Sequence, residues 1–229
     1  MLSFIVIIVL SYLLGSIPTS VWIGKLVKKV DIRQHGSGNA GATNTFRLLG
    51  WKAGMLVSMI DVAKGFTAAY YISQLGYHMG DVPVSLGAWE TDIFMRLIAG
   101  AAAVGGHMYP LYARFRGGKG VITAAGMLYG IEPISITLAL AVFFILLFST
   151  RYVSLGSILS CFSYPLFLLM LKYVFDHPVD GSLIVISAAV ALTIIIKHHA
   201  NIKRLLKGNE NRIRSFKPAK GQLNREQSS

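Results

Sequence analysis

The sequence predicts an all-α polytopic membrane protein with seven transmembrane segments, the fourth of them short, the N-terminus outside and the C-terminus cytoplasmic. Three observations carry this. The 229 residues are 54% hydrophobic and 14% charged, more apolar surface than one soluble core of this size uses. Apolar runs long enough to cross a hydrocarbon core of about 30 Å alternate with short polar connections. Basic residues are also one-sided: under the seven-segment reading, all of the 22 Lys and Arg except Lys64, Arg96 and Lys172 fall on the inner side. The net charge of +12 therefore matches an anionic inner leaflet and anionic ligands, not nucleic acid. The single Cys161 excludes an intrachain disulfide.

In chain order, Leu2 to Ile23 is a first span. Its positive charges come afterwards, at Lys25, Lys28, Lys29 and Arg33, which marks a retained span and not a cleaved signal peptide. A second span, Trp51 to Leu75, carries Asp61 and Lys64 three residues apart on one helical face. Charges at that depth are costly, so the pair reads as a mutual neutralisation facing the bundle, with direct substrate contact as the alternative. The connection Gly76 to Asp92 holds Asp81, Glu90 and Asp92 but no Lys or Arg, and is assigned outside. A third span, Ile93 to Tyr112, places Arg96 where it can snorkel.

As one helix, the 29 residues from Val121 to Ser149 would be about 44 Å long, beyond the core thickness. Glu132-Pro133 interrupts them, because Pro removes a donor and restricts its predecessor. The result is a short fourth segment, Gly120 to Ile131, and a fifth span, Ile134 to Phe148. Tyr152 to Val174 and Gly181 to Ile196 are the sixth and seventh. From Lys217 the chain is polar and aperiodic, so 217–229 reads as a disordered tail beyond a single membrane domain, 1–216.

Three polar clusters face inward. The first, Gly36 to Arg47, reads GSGNAGATNTFR. Gly36, Gly38 and Gly41 let backbone N–H groups converge on an oxyanion, Ser37, Asn39, Thr43 and Asn44 add short hydrogen-bonding side chains, and Arg47 adds a planar fork for phosphate. In the second, Gly117-Gly118-Lys119 leads into the fourth segment, whose N-terminus offers free N–H groups. It is not a Walker A loop, since Ala113 and Gly120 stand where Gly and Ser or Thr are required. The third, KHHANIKRLLKGNE, places His198 and Asn201 on one helical face if the seventh helix runs on, and ends at Glu210. His198 and His199 are adjacent and point apart, and no residues have zinc-ligand spacing, so no metal is expected.

Together, GSGNAGATNTFR, GHMYPLYARFRGGKGV and HHANIKRLLKGNE resemble the three cytosolic motifs of the bacterial acyl-phosphate:glycerol-3-phosphate acyltransferases, in the same order and over nearly the whole chain. The resemblance implies a multi-pass enzyme of the bacterial cytoplasmic (inner) membrane with its active site on the cytoplasmic face and no cofactor. It implies acyl phosphate and glycerol 3-phosphate as substrates, lysophosphatidic acid and phosphate as products, and a place at the first acylation of phospholipid biosynthesis. Membrane lipids and the soluble enzyme that makes acyl phosphate are the implied partners. Ser37, Arg47, Lys119, His198 and Asn201 are the implied catalytic residues. Gly36, Gly38, Asn39, Gly41, Thr43, Asn44, Gly117, Gly118 and Glu210 are the implied substrate-binding residues. Lys197 and His199-Ala200 depart from the Arg and Arg-Glu expected around the histidine, and spacing to Asn201 favours His198 over His199.

An acyl phosphate is a mixed anhydride with a good leaving group, so direct attack by the 1-hydroxyl needs no covalent acyl-enzyme. A membrane transporter of a phosphate ester is the rival reading, since it would share the broken helix and the basic inner face. Other glycerolipid acyltransferases and hydrolases are excluded by the lack of HxxxxD and GxSxG.

Overall fold

Prolines and glycines set several of the bends in this chain. The computed structural model describes residues 2–79, 87 and 89–213, and among these every regular element is helical. The polar tail 217–229 and Asp81 lie outside the described residues. Pro18 divides the expected first span into α1 (Leu2–Gly15) and α2 (Thr19–Lys28), because it has no N–H to continue the ladder. Beyond the first Gly-rich loop, α3 (Ala42–Leu49) turns at Gly50, where φ is 88°, directly into α4 (Trp51–Tyr70). Phe46 lies flat on Gly54 and folds α3 back along α4. After a short turn, α5 (Leu75–His78) precedes α6 (Thr91–Met108).

The break at Glu132-Pro133 occurs as expected. Helix α7 (Val121–Tyr129) ends before it, and α8 (Pro133–Thr150) starts on it. Glu132 caps α8 by accepting from Ile134 N at 3.0 Å and Ser135 N at 2.7 Å. Helices α9 (Val153–Val174), α10 (Gly181–Lys197) and α11 (His199–Leu206) complete the chain. Asp180 caps α10 through Ser182 N at 2.7 Å and also accepts from Glu90 N at 2.9 Å, tying that end of α10 to the start of α6.

Small residues set the packing. A Cβ on Gly15 would lie 2.1 Å from the Ala103 carbonyl and one on Gly106 2.3 Å from the Tyr12 carbonyl, so α1 and α6 meet backbone to backbone. Gly65 and Gly126 do the same for α4 and α7. Around Leu97, Met127, Leu168 and Ile194 the helices enclose one apolar core. Outside it, Phe144, Ile145, Phe148, Phe162, Leu192 and Ile196 are exposed. Such an apolar exterior suits a hydrocarbon environment. By length and composition Leu2–Lys28, Pro133–Thr150 and Val153–Val174 can each cross a bilayer, and α10 with α11 forms a further, bent candidate.

Arg96 and Lys172, two of the three cations outside the inner clusters, are each held near a helix end. Arg96 donates to Asp92 at 2.7 Å and lies over the Tyr70 ring, a fixed pairing in place of free snorkelling. Lys172 donates to the Val179 carbonyl at 2.9 Å.

Candidate active site

The first Gly-rich loop is shaped from within. Asn44, fully buried, donates through Nδ2 to the Ile32 carbonyl at 2.9 Å and the His35 carbonyl at 3.0 Å, while its Oδ1 accepts from Ser37 N at 3.0 Å. Three bonds thus bind this side chain to the loop itself, and its role is to hold the backbone's shape. Gly36 and Gly38 take positive φ, 63° and 71°, and a Cβ on Gly36 would come within 2.4 Å of Asn44 Oδ1. Gly41 precedes α3 in extended conformation. Ser37 is exposed, Asn39 and Thr43 are half-buried, and Arg47 projects from the last turn of α3.

The second loop is closed at its neck by Gly118 N donating to the His107 carbonyl at 3.1 Å. Neither Gly117 nor Gly118 has room for a side chain, since a Cβ would lie 2.0 Å from the His107 carbonyl in one case and 2.2 Å from His107 Nε2 in the other. Gly120, with φ 83°, then starts α7 and leaves Lys119 between the loop and the helix. Arg33 joins the two loops, because its Nη1 donates to the Ala113 carbonyl at 2.8 Å while Asp31 holds its other edge at 2.6 Å.

The third cluster differs from expectation in one respect. The seventh helix does not run on; α10 and α11 meet at His198 with a 59° bend. His198 is buried and His199 exposed, which makes His198 the inward ring, as its spacing to Asn201 suggested. His198 Nδ1 donates to the Ile194 carbonyl at 2.8 Å, so the proton sits on Nδ1 and Nε2 keeps its lone pair. The bend aims Asn201 at the second loop. Lys119 Nζ donates to Asn201 Oδ1, Asn201 Nδ2 donates to Glu210 Oε1 at 2.7 Å, and Arg204 Nε donates to Glu210 Oε2 at 2.6 Å. Ser154 of α9 adds a bond to Glu210 at 3.1 Å. Lys197 lies 3.8 Å above the Tyr109 ring, a second tie between this cluster and the second loop.

Electrostatics unite the three clusters. Burial pushes Lys119 down to about 8, against the attraction of Glu210 and with the repulsion of Arg204. Burial also lowers Arg47, opposed by Glu210 and aided by Arg204, which places α3 within the same field. His198 is held down to about 4, first by burial and then by Lys119, so the imidazole is neutral. Three cations, Arg47, Lys119 and Arg204, therefore share the field of one carboxylate, an excess of positive charge that an anion would complete. Arg204 and Ser154 were not singled out from the sequence. Arg204 lies three residues beyond Asn201 in the third cluster, a spacing that could have revealed it.

A second buried group lies beneath the loops. Asp61 and Lys64 form the expected ion pair at 2.8 Å, and Lys64 also donates to Thr19 and, at 2.5 Å, to the Ile17 carbonyl, which accepts from Thr19 N at 2.9 Å as well. Thr19 donates to Asp61 at 3.1 Å. Among the described residues, no three His, Cys, Asp or Glu are grouped to hold a metal ion.

An all-helical chain with an apolar exterior and a polar site assembled from three loops at helix ends defines an integral membrane protein with an anion-binding centre. The model of the family described as glycerol-3-phosphate acyltransferase matches residues 5–208. A glycerol-3-phosphate acyltransferase from Salinibacter ruber is 46% identical over 227 residues, covering 98% of this chain and 99% of that protein. One from Chlorobaculum tepidum is 47% identical over 231 residues, covering 93% and 97%. The crystal structure of PlsY, an integral membrane glycerol 3-phosphate acyltransferase, in its glycerol 3-phosphate form is similar with a TM-score of 0.78 and 36% identity, over 92% of this chain and 96% of that one. Its lysophosphatidic acid form gives a TM-score of 0.75. The chain belongs to the glycerol-3-phosphate acyltransferase family and is a membrane-integral acyltransferase of phospholipid biosynthesis. Family membership sets aside the transporter reading.

Proposed function

We propose that this enzyme transfers a fatty acyl group from acyl phosphate to the 1-hydroxyl of glycerol 3-phosphate, giving 1-acyl-glycerol 3-phosphate and phosphate without an acyl-enzyme. The observation that carries this is the joining of all three motifs around Lys119, Asn201 and Glu210, with Arg47 and His198 in the same field. Two phosphates must be held close together although they repel, and an excess of cations with converging N–H groups meets that need. Ser37, Arg47, Lys119, His198 and Asn201 hold glycerol 3-phosphate. The backbone from Gly38 to Asn44, shaped by the buried Asn44 side chain, receives the donor's phosphate.

In the reaction the 1-hydroxyl oxygen attacks the acyl carbonyl carbon, the carbon–oxygen bond to phosphate breaks, and phosphate departs. His198 Nε2 accepts a hydrogen bond from the attacking hydroxyl and orients it. With the imidazole held down to about 4, the departing phosphate is the stronger proton acceptor and takes the hydroxyl proton. Positioning and charge stabilisation supply the rate.

The chain is read as seven segments, formed by α1 with α2, α4, α6, the short α7, α8, α9 and α10, with the N-terminus outside. The one-sided Lys and Arg distribution supports that orientation, and with it a site on the cytoplasmic face; the membrane is read as the bacterial inner membrane. Acyl phosphate would reach it from a soluble enzyme, and the acyl chain would lie between helices in the bilayer.

The test uses detergent-purified protein with glycerol 3-phosphate and either palmitoyl phosphate or palmitoyl-CoA, reading free phosphate and lysophosphatidic acid. Product is expected from the acyl phosphate alone, and Lys119→Ala lowers kcat/KM by about 10²- to 10³-fold, the scale of one fixed donor to a developing charge. Turnover with palmitoyl-CoA alone would refute the donor assignment.

A further inference from the structure

His107, in the last turn of α6, is buried and plays no part in the reaction just described. It nevertheless touches more of the site's scaffold than its position suggests. On one side its Nδ1 lies 3.7 Å from Asp61 Oδ1. That carboxylate is itself fixed by Lys64 at 2.8 Å and Thr19 at 3.1 Å, and Lys64 is anchored to the broken end of the first helix. On the other side the ring meets the second loop. A Cβ on Gly118 would fall 2.2 Å from His107 Nε2 and 2.9 Å from the Ala40 carbonyl, so the imidazole edge lies at the seam between the two Gly-rich loops. His107 also supplies the carbonyl that closes the second loop through Gly118 N. A narrow cleft along this seam is lined by Thr19, Ser20, Ala40, Asp61, His107 and Gly117.

Lys119 is the residue that this scaffold sets. Its ammonium sits at the end of a flexible four-carbon stem, so the place from which it reaches is decided by the backbone of Gly117 and Gly118. That backbone bears on the His107 ring and carbonyl, and the ring faces Asp61. We propose that His107 is a positioning residue: Asp61 fixes the imidazole, the imidazole fixes the Gly117-Gly118 backbone, and this sets the point at which Lys119 meets the phosphate of the acyl acceptor. The inference rests on the reading above, in which Lys119 holds glycerol 3-phosphate. A buried ring that only filled space would be replaceable by any ring of similar volume, whereas a ring held by a carboxylate needs a polar atom where Nδ1 stands.

Steady-state kinetics and calorimetric binding of glycerol 3-phosphate would be measured for the full-length wild type, His107→Phe and His107→Asn. Phe keeps an aromatic ring and loses both nitrogens, while Asn retains a polar group near Nδ1. His107→Phe is expected to raise KM and Kd for glycerol 3-phosphate about tenfold, the scale of a sub-ångström misplacement, with KM for acyl phosphate changed less than about twofold. His107→Asn is expected to recover most of that loss. Wild-type constants in His107→Phe would overturn the proposal. So would equal rises in both KM values accompanied by the same loss of thermal stability in both variants, because that is the behaviour of a core filler. Wild-type protein that fails to bind glycerol 3-phosphate would overturn the acceptor assignment and this inference with it. Normal wild-type binding with an unaffected variant would overturn the inference alone.

Discussion

Two buried groups of charge lie within this helical bundle, and they are completed differently. At α4, Lys64 donates to Asp61, Thr19 and the Ile17 carbonyl, which uses all three ammonium hydrogens, and one anion balances one cation. At the meeting of the three motifs, Arg204 pairs with Glu210, Lys119 reaches it through Asn201, and Arg47 feels the same carboxylate at longer range. The first group is saturated within the protein; the second is short of negative charge. Burial alone therefore does not mark a site. The balance of donors and charges is the better guide, and the unbalanced cluster is the one that the proposed function assigns to an anionic substrate.

The largest effect that can break this comparison comes from the saturated pair. Lys64→Met leaves a buried carboxylate unpaired and is expected to cost about 3 to 5 kcal/mol in denaturant unfolding, while the double variant Asp61→Leu/Lys64→Met regains most of it. A double variant no more stable than the single one would show that the pair does more than neutralise itself. Next comes Glu210→Gln, which removes the charge from the acceptor of Asn201, Arg204 and Ser154. Charge-assisted bonds contribute about 1.5 to 3 kcal/mol each, so a fall in kcat/KM of about tenfold to a hundredfold is expected, with a smaller loss of stability than in Lys64→Met. The reverse ranking would make Glu210 a stability residue first.

The smallest effect is a pH limb. Lys119 is held down to about 8, so as pH rises through that value the free enzyme loses its cation, and kcat/KM for glycerol 3-phosphate should decline. Lys119→Arg stays charged across this range, and its residual activity is expected to lack the limb. A limb that persists in the Arg variant would belong to another group.

Local signals are legible in this sequence, and long-range ones are not. Pro133 after Glu132 announces a break and a cap in two adjacent residues, and Asp61 with Lys64 announces a pair through helical spacing. The three motifs were legible because their glycines, Lys119, His198 and Asn201 stand close together in each stretch. Pro18 was legible as a break, whereas the bond from Lys64, far along the chain, to the Ile17 carbonyl beside that break was not. The bend at His198 carries no Pro or Gly. Its purpose appears only when Asn201 is found between Lys119 and Glu210. His107 was hidden for the same reason, because its partners Asp61 and Gly118 come from two other elements.

Glu210 lies beyond the last apolar helix, in a segment that turns back so that Ile213 N meets the Arg151 carbonyl at 2.9 Å and Arg212 covers the Tyr152 ring. During synthesis, a nascent chain can therefore insert every apolar helix and still have an incomplete site. The Asn201 amide gains its acceptor only when this last stretch has left the ribosome and docked on α9. If Asn201 and Lys119 hold the acceptor as proposed, a chain cut short of Glu210 would keep every apolar helix and lack the carboxylate that fixes the Asn201 amide.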